Sequence, residues 1–215
     1  MSLQLRNISL QLSGKTLIEP FSLEIAEGEV VTLMGPSGFG KSSLLSYIAG
    51  HLAAPFAGAG DIFLNGTTLN CVPPQNRNIG RLFQDDLLFP HMTVGENLLF
   101  ATPRGLRPER ESLMKTALAH AELEGFEHRA PHTLSGGQRS RVSLMRALLA
   151  KPQAMLLDEP FNKLEQELRA TVRDYTFANL QIRKVPTLMV THDPSDAPTG
   201  ARIFEITKTG EIKIV

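Results

Sequence analysis

The sequence predicts an α/β fold with an N-terminal antiparallel β-subdomain and an α-helical lobe inserted into the core. Apolar and polar residues alternate with a period of two through the N-terminal segment, as in half-buried antiparallel strands. Three short apolar runs follow that are typical of parallel strands buried on both faces, namely Val30–Met34, Ala154–Leu157 and Thr187–Val190. Two stretches in the middle of the chain, 109–123 and 134–149, carry apolar residues at helical spacing with no strand pattern between them.

The chain, residues 1–215, is predicted to form a single domain, because its length suits one domain with an inserted lobe. We assign residues 1–83 and 151–215 to the α/β core with its β-subdomain, and residues 84–150 to the helical lobe. Apolar residues on both sides of Gly210 predict a closing hairpin. We therefore expect no C-terminal regulatory domain.

The composition excludes several classes of protein. Lys and Arg together number 22 and so do Asp and Glu, and this zero net charge argues against a basic nucleic-acid binder and a polybasic membrane anchor. The single cysteine, Cys71, rules out an internal disulfide. Residues 42–60 lack charge, but Gly, His and Pro interrupt them, so we expect a helix followed by a flexible connection rather than a membrane span.

A phosphate-binding loop follows the first buried run. The segment Gly35–Ser42 matches the pattern G-x-x-x-x-G-K-[ST] between a predicted strand and a predicted helix. Glycines let backbone N–H groups converge on phosphate oxygens, Lys41 supplies a point charge, and the Ser42 hydroxyl is a hard oxygen ligand for Mg²⁺. These features predict a P-loop NTPase core. The expected nucleotide contacts are Gly35, Pro36, Ser37, Gly38, Phe39, Gly40, Lys41, Ser42 and Ser43.

A second candidate anion site opens the second helical stretch, at Leu134–Gln138. Ser135 suits a helix N-cap, and Gly136 and Gly137 expose backbone N–H groups at a helix N-terminus, ahead of Gln138. If this site lies on a separate lobe, it cannot share the first site's phosphate within one chain. In two chains arranged head to tail, this loop of each chain could contact the nucleotide bound by the other chain. Taken alone, the five residues could equally be a capped helix with no ligand.

With this L-S-G-G-Q sequence, the chain resembles the ATP-binding subunits of ABC transporters over essentially its whole length. The resemblance implies ATP and Mg²⁺ as ligands. Gln84, in Leu82–Asp85, resembles the family's Q-loop glutamine. The side-chain oxygen of that glutamine ligates Mg²⁺, and the residue couples the presence of the γ-phosphate to the segment that follows it. The alternative for Gln84 is an ordinary polar loop residue.

The acidic end of the second buried run also matches the family. There the resemblance implies that Asp158 holds Mg²⁺ and that Glu159 is the general base that polarises the attacking water. His192, after the third buried run, resembles the switch histidine that contacts the γ-phosphate and holds Glu159 in place. The alternatives are that the two acids are strand-end caps and that the histidine is structural.

Three features depart from the family pattern. Residues 161–165, which follow Pro160, are Phe-Asn-Lys-Leu-Glu. At the positions that correspond to 162–165, the family usually has a sequence close to Ser-Ala-Leu-Asp. Phe39 replaces a small residue, and we expect its ring to point away from the phosphates. The first 20 residues contain no aromatic residue to stack on adenine, and Leu12 falls near the position where the family places one.

The resemblance implies an ATP-hydrolysing subunit of a membrane transporter that dimerises head to tail on ATP and Mg²⁺. Its expected partners are transmembrane permease subunits, a second copy of the chain and a solute-binding protein, with no nucleic acid. The segment Asp85–Glu96 is the expected docking surface for the permease. Asp158–Phe161 resembles importers of thiamine, polyamines, sugars and inorganic ions, so import is expected, at the cytoplasmic face of the cell membrane.

Three other functions are consistent with parts of the sequence. A non-transport or exporting ABC ATPase shares the motifs, but non-transport members carry tandem domains, long insertions or basic linkers that this chain lacks. A P-loop kinase of a small molecule has no need of the loop at Leu134–Gln138. A scaffold that binds ATP without hydrolysis would not need both Glu159 and His192.

Overall fold

The structure is a computed structural model that describes residues 1–215, and it has ten strands and five α-helices. The strands are β1 (Leu3–Leu12), β2 (Lys15–Ile25), β3 (Val30–Met34), β4 (Phe56–Leu64), β5 (Thr67–Thr68), β6 (Ile79–Leu82), β7 (Ala154–Asp158), β8 (Thr187–Val190), β9 (Ile203–Ile206) and β10 (Ile212–Ile214). The helices are α1 (Lys41–Ala49), α2 (Val94–Ala101), α3 (Arg107–His120), α4 (Gly136–Leu149) and α5 (Gln166–Ile182). This mixture of elements confirms the predicted α/β fold class.

An antiparallel sheet of four strands, in the order β2-β1-β4-β5, forms the N-terminal subdomain. Strand β1 pairs with β2 on one side and with β4 on the other. Inward-facing residues of β1 such as Leu3, Leu5 and Leu10 are fully buried, as their period of two predicted.

Strand β4 corrects the prediction of a flexible connection after α1. The glycines of β4 interrupt the alternation of apolar and polar residues that predicts a strand, but they are needed because neighbouring groups lie very close to the backbone of β4. A Cβ on Gly58 would lie 2.4 Å from the Tyr47 ring, and one on Gly60 would lie 2.4 Å from the Asn7 carbonyl oxygen. Side chains at these two positions would prevent β4 from packing against α1 and β1.

A six-stranded sheet, in the order β10-β9-β3-β8-β7-β6, forms the second layer. Strand β3 runs parallel to β8 and β9, and β7 runs parallel to β8. All residues of β7 and β8 are buried, as expected of parallel strands covered on both faces. The carboxyl ends of β3, β8 and β7 therefore lie side by side, at the edge where α/β proteins place their ligands.

The residues group into two compact units. The first contains 1–81, 153–159 and 180–215, with both sheets and α1, and the second contains 82–152 and 160–179, with the remaining helices. Helices α3 and α4 confirm the two helical patterns of the middle segment. Helix α5 was not predicted, and most of it belongs to the second unit. No helix of the structure has both the length and the apolar character needed to span a membrane.

Candidate nucleotide-binding and hydrolysis site

The phosphate loop joins β3 to α1 in the first unit, and its glycines have backbone conformations that other residues rarely adopt. Gly35 has a φ of 142°, and a Cβ there would lie 2.9 Å from the Ile206 carbonyl oxygen. Gly40 has a φ of 81° and starts α1, where its carbonyl accepts a hydrogen bond from Leu44 at 2.8 Å. No side chain caps this helix N-terminus, so its first N–H groups remain available to an anion.

Lys41 lies in the first turn of α1 and folds back over the loop. Its Nζ donates to the carbonyl oxygens of Gly35 at 2.7 Å and Pro36 at 2.8 Å. Burial lowers the pKa of Lys41, while the negative charges of Glu159 and Asp158 act in the opposite direction. A bound polyphosphate would offset the desolvation of this charge, so the arrangement favours a strongly anionic ligand.

Ser42 and Asp158 form the candidate metal site. The Ser42 hydroxyl donates to Asp158 Oδ1 at 3.0 Å, and Asp158 is almost fully buried at the end of β7. Burial raises the pKa of Asp158, while the hydrogen bond from Ser42 and the charges of Arg81 and Lys41 lower it. A hydroxyl and a carboxylate this close are hard oxygen donors that fit Mg²⁺.

Glu159 and His192 come together at the ends of β7 and β8. His192 Nδ1 lies 3.3 Å from Glu159 Oε2, and the histidine side chain is 56% exposed while that of Glu159 is 17% exposed. Glu159 has a φ of 48°, a left-handed conformation that is uncommon outside glycine and often occurs at functional sites. One ring nitrogen of His192 thus lies beside the carboxylate, while more than half of the histidine side chain is exposed.

Local hydrogen bonds fix the loop that carries His192. The buried Thr191 hydroxyl donates to Asp196 Oδ2 at 2.7 Å and accepts from the Asp193 backbone N–H at 3.1 Å. The side chain of Asp193 in turn accepts from the Ser195 backbone N–H at 2.9 Å. Sequence reasoning missed these partners, although the Thr and the Asp residues around His192 are typical of such a turn.

The segment Leu134–Gln138, called the signature segment below, opens α4 in the second unit, and Ser135 is the N-cap of this helix, as predicted. The Ser135 hydroxyl accepts from the Gln138 N–H at 3.2 Å, and the Gln138 side chain accepts from the Ser135 N–H at 2.9 Å. This capping box uses two of the local donors. The N–H groups of Gly136 and Gly137 lie in the first turn of the helix and have no partner there, as an anion site requires.

Gln84 also lies in the second unit, in the loop after β6, and its side chain is exposed. Its backbone carbonyl accepts a hydrogen bond from Lys163 Nζ at 2.9 Å. Lys163 also pairs with Asp86, two residues after Gln84, at 3.3 Å. Sequence reasoning missed Asp86 and assigned no role to Lys163, although this lysine stands in the segment where the chain departs from the family.

Leu12 lies beside the tip of the β1–β2 hairpin in the first unit and is half-buried. In the sheet it pairs with Phe56, the first residue of β4. Residues directly opposite each other on antiparallel strands place their side chains on the same face. The structure therefore brings an aromatic residue next to the position that lacks one, from a part of the chain that the sequence did not indicate.

Phe39, the other substituted position of the phosphate loop, is half-buried and packs against the core of the first unit. Its ring therefore contributes to packing. That the ring points away from the phosphates stays a prediction.

Comparison with known proteins decides the family. The sequence profile described as ABC transporter matches residues 18–162, which is most of the chain. This chain belongs to the ABC transporter family. It is an ABC ATPase, the ATP-binding subunit type of that family.

Two curated relatives are similar to this ABC subunit along most of its length. It is 43% identical to the uncharacterized ABC transporter ATP-binding protein YnjD of Escherichia coli K12, covering 96% of this chain and 95% of YnjD. It is 40% identical to the Fe(3+) ions import ATP-binding protein FbpC of the same strain, covering 90% of this chain. The match spans only 56% of FbpC, so the chain corresponds to about half of that relative.

A solved structure has the same fold. The dimeric post-hydrolysis state of the ATP-binding cassette MJ0796, bound to ADP and Pi, superposes with a TM-score of 0.83 at 31% identity. The superposition covers 98% of this chain and 96% of that cassette. The P-loop NTPase fold of an ABC cassette, predicted from the sequence, is thereby confirmed.

Proposed function

We propose that this protein hydrolyses Mg²⁺-bound ATP and that two copies, closed head to tail around the nucleotide, drive a membrane importer. The observation that carries the proposal is the pairing of two contacts at one sheet edge. Ser42 contacts Asp158 at 3.0 Å where the phosphate loop begins α1, and His192 contacts Glu159 at 3.3 Å beside it. A metal-binding pair next to a held carboxylate is the arrangement that phosphoryl transfer to water requires.

Each residue of this edge has a distinct role in the proposed reaction. Lys41 and the N–H groups of the loop bind the phosphates, and Ser42 and Asp158 would hold Mg²⁺. Bound Mg²⁺ supplies charge neutralisation at the phosphate oxygens. Glu159 accepts the proton of the attacking water, and His192 keeps the carboxylate in position for that transfer.

Gln84 and the signature segment are proposed to complete the site. Gln84 would add a side-chain oxygen near the metal, and Ser135 to Gln138 would bind the γ-phosphate of the partner copy's nucleotide. The capped N-terminus of α4 supports the second role, because its first N–H groups suit an anion. The dimeric state of MJ0796 with ADP and Pi supports the two-copy arrangement.

The direction and partners of transport are proposed from the relatives. FbpC is an iron importer's ATP-binding protein, and this chain aligns with it along 90% of its own length. Permease subunits and a solute-binding protein are therefore the proposed partners, and the subunit is proposed to act at the cytoplasmic face of the membrane.

The proposed docking surface for the permease, Asp85–Glu96, is organised around one buried side chain. Asn97 is fully buried, and its amide accepts from the Phe89 N–H at 2.9 Å and donates to the Phe89 carbonyl at 3.1 Å. It also donates to the carbonyl of Thr93 at 2.9 Å. Held in this way, the segment exposes Leu87 by 56%, whereas Phe89 is half-buried and packs edge-on against the ring of Phe100.

A charge at Leu87 tests the transport function. We expect Leu87→Glu to abolish binding to the permease and transport, because a carboxylate in an apolar contact carries a large desolvation cost. Basal ATP hydrolysis by the isolated subunit is expected to stay within about twofold, since exposed substitutions seldom change stability by more than ~0.5 kcal/mol. The neighbouring open reading frames identify the candidate permease, and co-purification with it measures docking.

The matched control is Ile182→Glu, which places the same charge at an apolar residue that is 82% exposed in the first unit. It should leave both docking and hydrolysis unchanged. Docking that survives Leu87→Glu would contradict the assigned surface, and loss of hydrolysis together with docking would mean that Leu87 supports the fold.

Nucleobase recognition should be weak. Stacking of a base on an aromatic ring contributes roughly 1–3 kcal/mol, and Leu12 offers only apolar contact. We expect ATP and GTP to bind within about tenfold of each other, since tenfold corresponds to about 1.4 kcal/mol. Leu12→Tyr should tighten ATP several-fold, as measured by equilibrium titration of both nucleotides.

Phe56 provides the comparison for this experiment, because it pairs with Leu12 across the sheet. If Phe56 stacks on the base, Phe56→Leu weakens ATP and Leu12→Tyr has little effect. A strong preference for ATP that neither substitution changes would contradict base recognition at this corner of the sheet.

A further inference from the structure

The carboxylate of Asp86 is the centre of a charged cluster within the second unit. Its side chain is 12% exposed, with Oδ1 lying 3.3 Å from Lys163 Nζ and Oδ2 lying 3.5 Å from Arg139 Nε. Its backbone carbonyl accepts from Arg146 Nη2 at 3.3 Å. Three cations from two other segments thus converge on one residue that lies two positions after Gln84.

Both side-chain partners of Asp86 also hold backbone groups of neighbouring loops. Arg139 Nη1 donates to the Leu134 carbonyl at 2.6 Å, immediately before the N-cap of α4. Lys163 Nζ donates to the Gln84 carbonyl at 2.9 Å. The two oxygens of the Asp86 carboxylate therefore pair with two different cations, and each cation is bonded to the backbone of a different loop.

The lysine segment also packs directly on the signature segment. A Cβ on Gly137 would come 2.8 Å from the Lys163 carbonyl oxygen, closer than any side chain tolerates. Lys163 stands where the family's usual sequence has a small uncharged residue, so its ion pair with Asp86 belongs to the part of the chain that departs from the family. The three loops meet within one unit, at the glycine that the proposed function places against the partner's nucleotide.

We propose that Asp86 is a positioning residue that ties the loop after Gln84 to the signature segment, and that this link sets how readily ATP closes two copies together. The dimer step rests on the proposed function, whereas the local link does not. The carboxylate pairs with Arg139, which holds the carbonyl before Ser135. It also pairs with Lys163, whose Nζ holds the Gln84 carbonyl and whose own carbonyl lies beside Gly137. A preformed signature segment loses less conformational freedom on binding a phosphate than a loose one does.

Hydrogen exchange tests the local link without nucleotide. Asp86→Asn keeps the size of the side chain and removes its charge, so amides in 134–139 should exchange about five- to tenfold faster, the size expected for a partly exposed charge cluster. Lys163→Met, at a side chain that is 38% exposed, gives a second variant that does not depend on how Asp86→Asn folds. Unchanged exchange in both variants would overturn the proposal.

ATP-driven dimer formation tests the consequence. In a Glu159→Gln background, the ATP concentration at half-dimerisation should rise about five- to tenfold in either variant. Nucleotide affinity of the monomer should stay within about twofold, because the phosphate loop belongs to the other unit. The effect of the double variant should be smaller than the product of the two single effects, since both substitutions remove the contact between Asp86 and Lys163, whereas independent residues would give multiplied effects.

Glu111→Gln is the matched control, because it removes a carboxylate that pairs with Arg107 at 2.8 Å on the exposed face of α3 in the same unit. It should change neither exchange in 134–139 nor the dimerisation midpoint. Multiplied effects in the double variant, or an equal shift in the control, would overturn the proposal. A Glu159→Gln parent that stays monomeric would overturn the proposed dimer itself, and the exchange result would then decide the local link alone.

Discussion

Replacing Glu159 by Gln is expected to lower steady-state ATP hydrolysis by about 10²- to 10⁴-fold, the contribution typical of a general base. The amide cannot take the proton of the attacking water, although it keeps the shape that contacts His192. Phosphate and metal contacts from Lys41, Ser42 and Asp158 do not change, so ATP binding should be retained. Phosphate release and equilibrium binding of labelled ATP measure the two effects separately.

Glu205→Gln gives a matched control, because Glu205 is an exposed glutamate on β9 in the same unit. It should hydrolyse ATP at the parent's rate. A rate within a few-fold of the parent for Glu159→Gln would remove Glu159 from the role of base.

Truncating Phe161 is expected to cause the largest loss of stability. The ring is fully buried and packs edge-on against Phe177, with centroids 5.8 Å apart. Phe161→Ala should lower the free energy of unfolding by about 3–5 kcal/mol, since it removes apolar contacts and leaves a cavity. That is a large share of the roughly 5–15 kcal/mol that stabilises a typical domain. Urea unfolding followed by circular dichroism measures the change.

Phe161→Leu should lose less stability, because it keeps much of the apolar volume. Ile182→Ala, at a side chain that is 82% exposed, should change the free energy of unfolding by no more than ~0.5 kcal/mol. A loss below about 1 kcal/mol for Phe161→Ala would contradict the packing described here.

The sequence predicted those parts of the fold in which one physical signal dominates. The buried runs that became β3, β7 and β8 are uniformly apolar, and the phosphate loop has glycines at fixed spacing. Strand β4 escaped prediction because its glycines serve contacts with Tyr47 and the backbone of β1, which no local pattern reveals.

Helix α5 escaped prediction for a different reason. Its buried face recurs every four residues, at Val172, Thr176 and Leu180, but the middle position is polar. The Thr176 hydroxyl donates a hydrogen bond to the Val172 carbonyl at 2.7 Å, and this bond allows the polar side chain to be buried. The apolar periodicity that the sequence shows is therefore weaker than the helix that forms.

The residues of the candidate site also differ in whether the sequence could predict them. Lys41 and Ser42 could be named from the glycine spacing of the phosphate loop, and Asp158, Glu159 and His192 from the resemblance to the ABC family at the ends of two buried runs. The partners that hold the second unit's loops could not, because Asp86 and Lys163 are 77 positions apart and no spacing rule joins them. Long-range ion pairs depend on the folded path of the chain, so they become visible only in the structure.

The central claim is that ATP joins two copies of this subunit, and light scattering of the Glu159→Gln variant tests it most directly. Without nucleotide the facing carboxylates and polar loops should keep the protein monomeric. With Mg²⁺ and ATP the measured mass should double, because two nucleotides bridge the copies and binding to the dimer alone shifts the equilibrium. A mass that stays at one subunit with saturating ATP, or a tight dimer that forms equally with and without nucleotide, would contradict ATP-driven dimerisation.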